Sequence, residues 1–366
     1  MHIYIHVPFC ARRCSYCDFA IAVRREVPAG AFADAILGEW AGWQKHPSWA
    51  DAPSVETIYF GGGTPSRIAP AAVARILDRI RADRPVADGA EVTLEANPDD
   101  VTAERARAWR QAGVNRVSLG AQSFEPRVLE WMHRTHRVEQ VAPAVAALRD
   151  AGIAALSLDL IFALPEMLGR DWPADLDAAL ALAPEHLSLY GLTIEPATPL
   201  GRWTARGEVT AAPDGRWAAD FLHADRRLRE EGYEHYEVSN AARPGHRARH
   251  NSAYWTRAPF IGLGPSAHSG FGRERRWNVR DWAGYERAAA AGLPVVGGFE
   301  HLDDAAVRLE TLYLGLRTDA GVPAGDVAET VRAGWERAGW AATEGGRLRL
   351  TPEGWLRLDA LVGAAA

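Results

Sequence analysis

Lysine is almost missing from this 366-residue sequence: Lys45 stands alone, and arginine supplies the rest of the permanent positive charge. That scarcity argues against a Schiff-base lysine mechanism, and the skew reads as a genomic composition bias. Cysteine is nearly as rare. There are three, clustered, and none is left to build a disulfide framework. No run approaches the roughly 20 apolar residues that cross a bilayer. No signal peptide is read, because a strand-like apolar pattern already begins at Ile3. The formal net charge is −6, which leaves no basic footprint for nucleic acid. There is no repeat of about 20–50 residues and no low-complexity tract. These absences together point to a cytoplasmic protein in a reducing compartment.

What is present begins with Cys10, Cys14 and Cys17, in IYIHVPFCARRCSYCDF, a C-x3-C-x2-C spacing. Three thiolates can hold three corners of a [4Fe–4S] cluster and leave the fourth iron open. Zinc in a Cys3His site, with His6 as fourth ligand, is the alternative. Zinc sites usually draw ligand pairs from separate segments, which favours the cluster. The spacing resembles the signature of the radical S-adenosylmethionine (SAM) superfamily. That resemblance implies that SAM chelates the open iron through its amino and carboxylate groups. It also implies that an electron from the cluster cleaves the sulfonium to a 5′-deoxyadenosyl radical.

Strand-like runs at Ile3–Val7, Thr57–Phe60, Glu91–Glu95, Arg116–Leu119, Ala155–Phe162 and His186–Leu192 alternate with helical patterns. The helices are expected at Ala29–Trp43, Pro70–Arg81, Thr102–Gln111, Val138–Asp150 and Trp172–Leu182. Thr102 reads as an N-cap, and Gly113 and Gly152 as helix ends. Six strand–helix units predict an α/β fold with a parallel sheet. Polar motif residues fall at successive strand ends, which is the barrel arrangement. The expectation is a partial (β/α)6 TIM-like radical SAM barrel over residues 1–205. Residues 206–297 form an extension, with a helix at Asp214–Glu231. Residues 298–366 read as a small helical, winged-helix-like domain: a helix at Ala305–Leu316, another at Val322–Ala338 with a Gly-rich interruption, a strand at Arg347–Leu350 and a closing helix at Pro352–Leu361. No basic recognition helix stands out there, so a packing or substrate-covering role is expected.

Gly61-Gly62-Gly63-Thr64-Pro65 follows the second strand. Glycine permits close backbone approach, and exposed N–H groups can take a carboxylate. The tract is neither a Walker A loop nor a GxGxxG fingerprint. Glu95 lies in EANP, Gln122 in GAQSF, Arg134 in HRTH and Asp159 in DLIFALP. Alone, each reads more readily as a structural polar residue at a strand end. Together they resemble the SAM-contacting set of the oxygen-independent coproporphyrinogen oxidase family. The resemblance implies that Gly62, Gly63 and Thr64 hold the SAM amino group, that Tyr4 lies near SAM, and that Tyr16 stacks near the adenine. Glu95 and Asp159 then hold ribose hydroxyls or the methionine part, and Gln122 and Arg134 hold ribose or carboxylate oxygens.

A second informative stretch is RHNSAYWTRAPFIGLGPSAHS, with His250-Asn251-x-x-Tyr254-Trp255, a Gly-rich turn and His268. Histidine is a common axial ligand of haem iron; the plainer alternative is a histidine that caps a loop or packs in a cleft. The order HVPFC, GGGTPS, EANP, LGAQSF, DLIFALP, YEVSN, RHN-x2-YW, GLGPSAHS, ETLYLGLRTDAGV and LTPEGWLRLD runs along most of the chain. It resembles the HemW-type haem-chaperone branch of the coproporphyrinogen III oxidase-like radical SAM proteins. The true oxidase carries a further cysteine two positions after the third, where this sequence has Phe19. It also carries an N-terminal extension, whereas two residues precede the first strand here.

The resemblance implies a haem chaperone with a [4Fe–4S] cluster, SAM and haem, and with His250 as a candidate haem contact. It implies partners that accept haem, such as respiratory proteins, with peripheral membrane contact through them. A low-potential electron donor such as flavodoxin or ferredoxin is also implied. Oxidative decarboxylation of coproporphyrinogen III is the competing expectation, and a radical SAM reaction on another substrate the third.

Overall fold

The computed structural model describes residues 1–49 and 54–365. One sheet of twelve strands organises most of the chain. Its strands are β1 (His2–Val7), β2 (Val55–Gly62), β3 (Val86–Ala96), β4 (Arg116–Gln122), β5 (Ala155–Phe162) and β6 (His186–Gly191), then β7 (Glu234–Glu237), β8 (Asn240–Ala242), β9 (Phe260–Leu263), β10 (His268–Phe271), β11 (Glu274–Asn278) and β12 (Val296–His301). The spatial order is β12-β11-β10-β9-β1-β2-β3-β4-β5-β6-β8-β7. Strands β1 to β6 pair in parallel in sequence order, so the six-unit parallel barrel expected from the sequence is present. The order is linear and does not close on itself, which leaves the barrel open.

Period-two alternation explains the register. Ile3, Ile5, Ile58, Phe60, Val92, Leu94, Val117, Leu119, Leu156, Leu158, Leu187 and Leu189 are buried and join the core under the helices. The intervening residues point inward, and they are mostly polar: Tyr4, His6, Tyr59, Glu95, Ser118, Asp159 and Ser188. TIM barrels usually fill this space with branched apolar layers. Here the interior is a hydrogen-bonding lining instead, which suits a polar ligand. The Thr102 side chain caps its helix by accepting from Arg105 N, and Gly113 ends that helix at φ 102°.

Two expectations are corrected. Phe260–Leu263 lies in what reads as a Gly-rich turn, yet it forms β9, a seventh parallel strand beside β1. Four residues are too few for periodicity to reveal; pairing with β1 decides it. Val322–Ala338 is not one helix. It is a short strand at Val322–Pro323, a 3-10 turn at Ala324–Asp326 and a helix at Glu329–Arg337. Gly321 at φ 62° and Pro323 break the pattern before the helix starts.

Strands from residues 206–297 extend both edges of the barrel sheet, with β7 and β8 on one side and β9 to β11 on the other. The expected boundary at 297/298 falls inside β12, which belongs to the same sheet. Beyond it, the helix Asp304–Leu316 leads to a three-stranded antiparallel sheet of Val322–Pro323, Arg347–Leu350 and Ala341–Glu344. Helices Glu329–Arg337, Pro352–Trp355 and Leu358–Ala365 complete the winged-helix-like end. It is not a detached unit. Leu316, Trp335, Leu348 and Trp355 are continuous with the barrel core, and Trp355 Nε1 donates to Leu316 O at 3.0 Å. Among the described residues, no helix is long and apolar enough to cross a membrane.

Candidate functional site

A cavity of about 400 Å³ opens at the C-terminal ends of the parallel strands. Its wall carries Cys10, Cys14, Cys17, Tyr16, Gly62, Gly63, Thr64, Glu95, Gln122, Arg134 and Asp159. The structure thus brings together residues from five strand ends and the loops after them. Tyr4 is the member of the expected SAM set that it leaves off the wall. Tyr4 points into the barrel below the cavity, its hydroxyl 3.1 Å from His6 Nδ1 and its ring stacked on Tyr59.

The cysteine loop is held by backbone bonds at both ends. Ala22 N donates to Pro8 O at 2.7 Å and Arg24 N to Cys10 O at 2.9 Å. In its middle, Ser15 N donates to Met132 O at 3.1 Å, and Leu200 N donates to Ser15 O at 2.8 Å. His6 fixes the loop as well, with Nε2 at 2.9 Å from Ala20 O. Both ring nitrogens of His6 are therefore engaged, which leaves none for the fourth corner of a zinc site. Among the described residues no three His, Cys, Asp or Glu side chains are grouped to hold a single metal ion. A four-iron cube takes one thiolate per corner and spreads its ligands more widely.

Donors face the thiols, as an electron-rich cluster needs. Thr64 Oγ1 donates to Cys10 Sγ at 3.4 Å, and Arg134 Nη1 lies 3.7 Å from Cys14 Sγ. Burial pushes the Cys10 thiol above its ordinary value, with Thr64 opposing, and pushes Cys17 up to about 11. The metal-free protein keeps these two as thiols at neutral pH, so loading a cluster releases their protons.

The opposite wall is built from carboxylates and one guanidinium. Burial raises Glu95 to about 7; the Tyr59 hydroxyl, donating at 2.8 Å, and Gly62 N, donating at 2.9 Å, hold it down, while Asp159 pushes it up. Asp159 is also raised by burial, against hydrogen bonds from Ser118 at 2.8 Å and Ser157 at 3.3 Å. Such carboxyl groups can accept from hydroxyls or an ammonium. Arg134 Nη2 donates to Asn97 Oδ1 at 2.6 Å and to Gly120 O at 2.9 Å, which sets the guanidinium between the cysteine loop and the strand ends. Gln122 sits beside it at φ 65°, in left-handed backbone at an irregularity of β4. That conformation is strained for a non-glycine residue, and such strain collects at functional sites. Tyr16 packs its ring against the small apolar cluster of Val128, Met132 and Ile161.

The N–H groups of the glycine tract, expected to be able to take a carboxylate, are used within the fold. Gly62 N is taken by Glu95, and Gly63 N donates to Val7 O at 2.7 Å. At Gly62, φ is 112° and a Cβ would stand 2.6 Å from the His6 ring. The tract packs β2 tightly against β1, and what it can offer a bound amino group is carbonyl oxygen.

His250 lies elsewhere. It lies in the first turn of the helix Arg249–Trp255, which is tied to the N-terminal parts of β2 and β3. Arg249 N and His250 N both donate to Glu91 at 3.0 and 2.9 Å, and Arg249 Nη2 donates to Glu56 O at 2.8 Å. The His250 side chain is 1 % exposed. Its Nδ1 is 2.6 Å from Thr57 Oγ1 and its Nε2 2.8 Å from the Tyr254 hydroxyl. Burial, with His2 nearby, lowers it to about 3. In this arrangement it presents no free nitrogen to an iron; the His-x3-Tyr spacing serves an internal bond across one helical turn. His268, the other histidine of that stretch, is exposed, its ring tilted against Trp277 with centroids 5.9 Å apart.

Sequence reasoning missed Tyr59, Asn97 and Ser118, which hold Glu95, Arg134 and Asp159, and Tyr190, which lines the cavity. Tyr59 could have been found from alternation, since it shares the inward face of β2 with Gly61. Asn97 lies within the EANP motif, but only the Arg134 contact shows its use.

A family model described as the radical SAM superfamily matches residues 4–179. A relative from Mycobacterium tuberculosis, named heme chaperone HemW, is 37 % identical over 363 residues, covering 98 % of this chain and 93 % of the relative. The protein of the same name from Synechocystis sp. is 37 % identical over 329 residues, covering 87 % and 78 %. The solved coproporphyrinogen III oxidase of Escherichia coli has the same fold, with a TM-score of 0.82 at 20 % identity over 99 % of this chain and 88 % of that one. With thiols, carboxyls and guanidinium gathered at the strand ends, and with this similarity along nearly its full length, the chain belongs to the HemW family of the radical SAM superfamily.

Proposed function

We propose that this protein is a haem chaperone, which binds haem and passes it to acceptor proteins and which carries a [4Fe–4S] cluster and SAM. The observation that carries the reading is 37 % identity to a heme chaperone HemW over 98 % of the chain. The cavity supports the cofactor part. Cys10, Cys14 and Cys17 would hold the cluster, with Thr64 and Arg134 donating to the sulfurs. When bound, the cluster supplies one low-potential electron toward the SAM sulfonium. Glu95, Asp159, Gln122, Arg134 and the Gly62–Thr64 carbonyls would hold SAM, and Tyr16 would flank its adenine. A flavodoxin- or ferredoxin-like donor would reduce the cluster. Acceptors of respiratory type would bring peripheral membrane contact in an otherwise cytoplasmic protein.

Oxidation of coproporphyrinogen III is the second reading, favoured by the shared fold. Phe19, on the cavity wall and 55 % exposed, occupies the position of that enzyme's further cysteine. One experiment separates the two. Anaerobically reconstituted protein is titrated with haem, and separately incubated with coproporphyrinogen III, SAM and a low-potential reductant. A saturable haem spectrum without protoporphyrinogen IX is expected. Conversion of the porphyrinogen would overturn the chaperone-only reading, and absence of haem binding would overturn the chaperone itself.

A further inference from the structure

The protein is acidic overall, at −6, yet the outer side of the cysteine loop is not. Arg12, Arg13, Arg24 and Arg25 are exposed on the loop itself. Two more arginines reach it from other elements: Arg67 Nη2 donates to Arg24 O at 3.1 Å and Arg25 O at 2.9 Å, and Arg280 Nη2 to Asp18 O at 3.3 Å. Arg13 Nη1 donates to Cys17 O at 3.3 Å. Every one of these contacts is to backbone. Among the described residues, none of the six arginines forms an ion pair, whereas Arg75, Arg216, Arg247, Arg257 and Arg357 elsewhere on the molecule do. Asp18 and Glu26 are the acidic side chains within the loop. Two exposed apolar side chains stand among the arginines: Phe19, 55 % exposed at the mouth of the cavity, and Val23, 46 % exposed. An apolar centre with a cationic rim is the anatomy of a transient protein interface.

We infer that this face docks an acidic protein that delivers single electrons to the cluster site; the inference rests on the cluster reading above. Three observations favour that occupant. Cys14 and Cys17 are only partly buried and lie in the same loop, so a partner seated here lies close to the cluster ligands. The molecule as a whole is at −6 and repels an acidic carrier, while the unpaired arginines around the cysteine loop attract it. The guanidinium groups of Arg13, Arg24, Arg67 and Arg280 are tethered to backbone carbonyls, and all six arginines keep their charge unpaired. The arrangement steers encounter and orientation more than it adds raw affinity.

The test uses the reconstituted holoprotein and two charge-reversed variants, Arg13→Glu and Arg24→Glu/Arg25→Glu, with their lysine counterparts; Arg12, which also lines the cavity, is left unchanged. A reduced flavodoxin is the probe. Its binding is measured by calorimetry at several salt concentrations, and cluster reduction by loss of visible absorbance. The expected result is about 10-fold weaker binding and slower reduction in the glutamate variants, with a flatter salt dependence. The lysine variants keep the wild-type behaviour. Reduction by viologen, a small cation that needs no docking face, is not slowed by the glutamates. Equal flavodoxin binding and reduction in all variants would overturn the proposal. So would lysine variants that fall as far as the glutamate ones, or a glutamate effect seen only on haem titration. A wild-type protein that takes up no iron and sulfide refutes the cluster reading itself, before the docking question is reached.

Discussion

His250 lies flat against Tyr59, ring centroids 5.0 Å apart and planes 24° from parallel, and Tyr59 in turn donates its hydroxyl to Glu95. The HNxxYW helix at one end of the barrel is therefore packed, through one aromatic ring, against a carboxyl of the cavity at the other. Tyr59→Phe keeps the ring and removes the donor. Weaker SAM binding, by about 5- to 10-fold, is expected from losing one hydrogen bond to a charged group. Equilibrium dialysis with reconstituted protein measures it, and unchanged affinity would show that the Tyr59–Glu95 bond does not support SAM binding.

Removing His250 is expected to cost stability before it affects haem. His250→Ala leaves Thr57 and Tyr254 without their buried partner and opens a cavity against Tyr59, a loss of about 2–4 kcal/mol. Chemical denaturation of the metal-free protein reads this directly. A haem spectrum that changes in a variant of native stability, such as His250→Gln, would instead assign the ring a role at the haem.

Acid should weaken the fold through buried histidines. Burial lowers His250 to about 3, His136 to about 3 and His2 to about 4, all from 6.5. The unfolded chain binds these protons first, so the contribution is complete above about 6.5 and is lost as pH falls toward 4. Denaturation midpoints at pH 7 and pH 5 should differ in that sense, and a His136→Gln variant should show a smaller difference.

Glu95 acts with the opposite sign. Burial raises it from 4.5 to about 7, so the folded protein holds that proton longer than the unfolded chain. Stability is highest below about 4.5 for this group and declines as pH rises to 7. Glu95→Gln should remove this decline, worth about 1–3 kcal/mol between pH 5 and 8 in the metal-free protein. Urea midpoints at the two pH values decide it.

Gly62→Ala tests the close approach of β2 to β1. The added Cβ would meet the His6 ring at 2.6 Å in a backbone at φ 112°. A loss of about 2 kcal/mol or more is expected, with lower iron retention because His6 anchors the cysteine loop. Wild-type melting and iron content would show that the strand can shift freely.

The sequence by itself determined the chemistry of the cavity and the parallel barrel that carries it. Cys10, Cys14 and Cys17 are local in the chain, and their spacing is a property of a single loop. Alternation along β1 to β6 separates the helix-facing apolar residues from the inward polar ones, so Glu95 and Asp159 are readable as inward groups. Only tertiary structure decided where the second motif goes. His250 looks like a ligand because an imidazole offers two nitrogens; Thr57, 193 residues away in the chain, and Tyr254 occupy both. It likewise decided that Phe260–Leu263 is a strand, through pairing with β1, and that the glycine N–H groups are taken by Glu95 and Val7. Those outcomes depend on contacts between distant segments, and the physical reason is the same in each case: a hydrogen-bonding group is satisfied by whichever partner the fold brings to it.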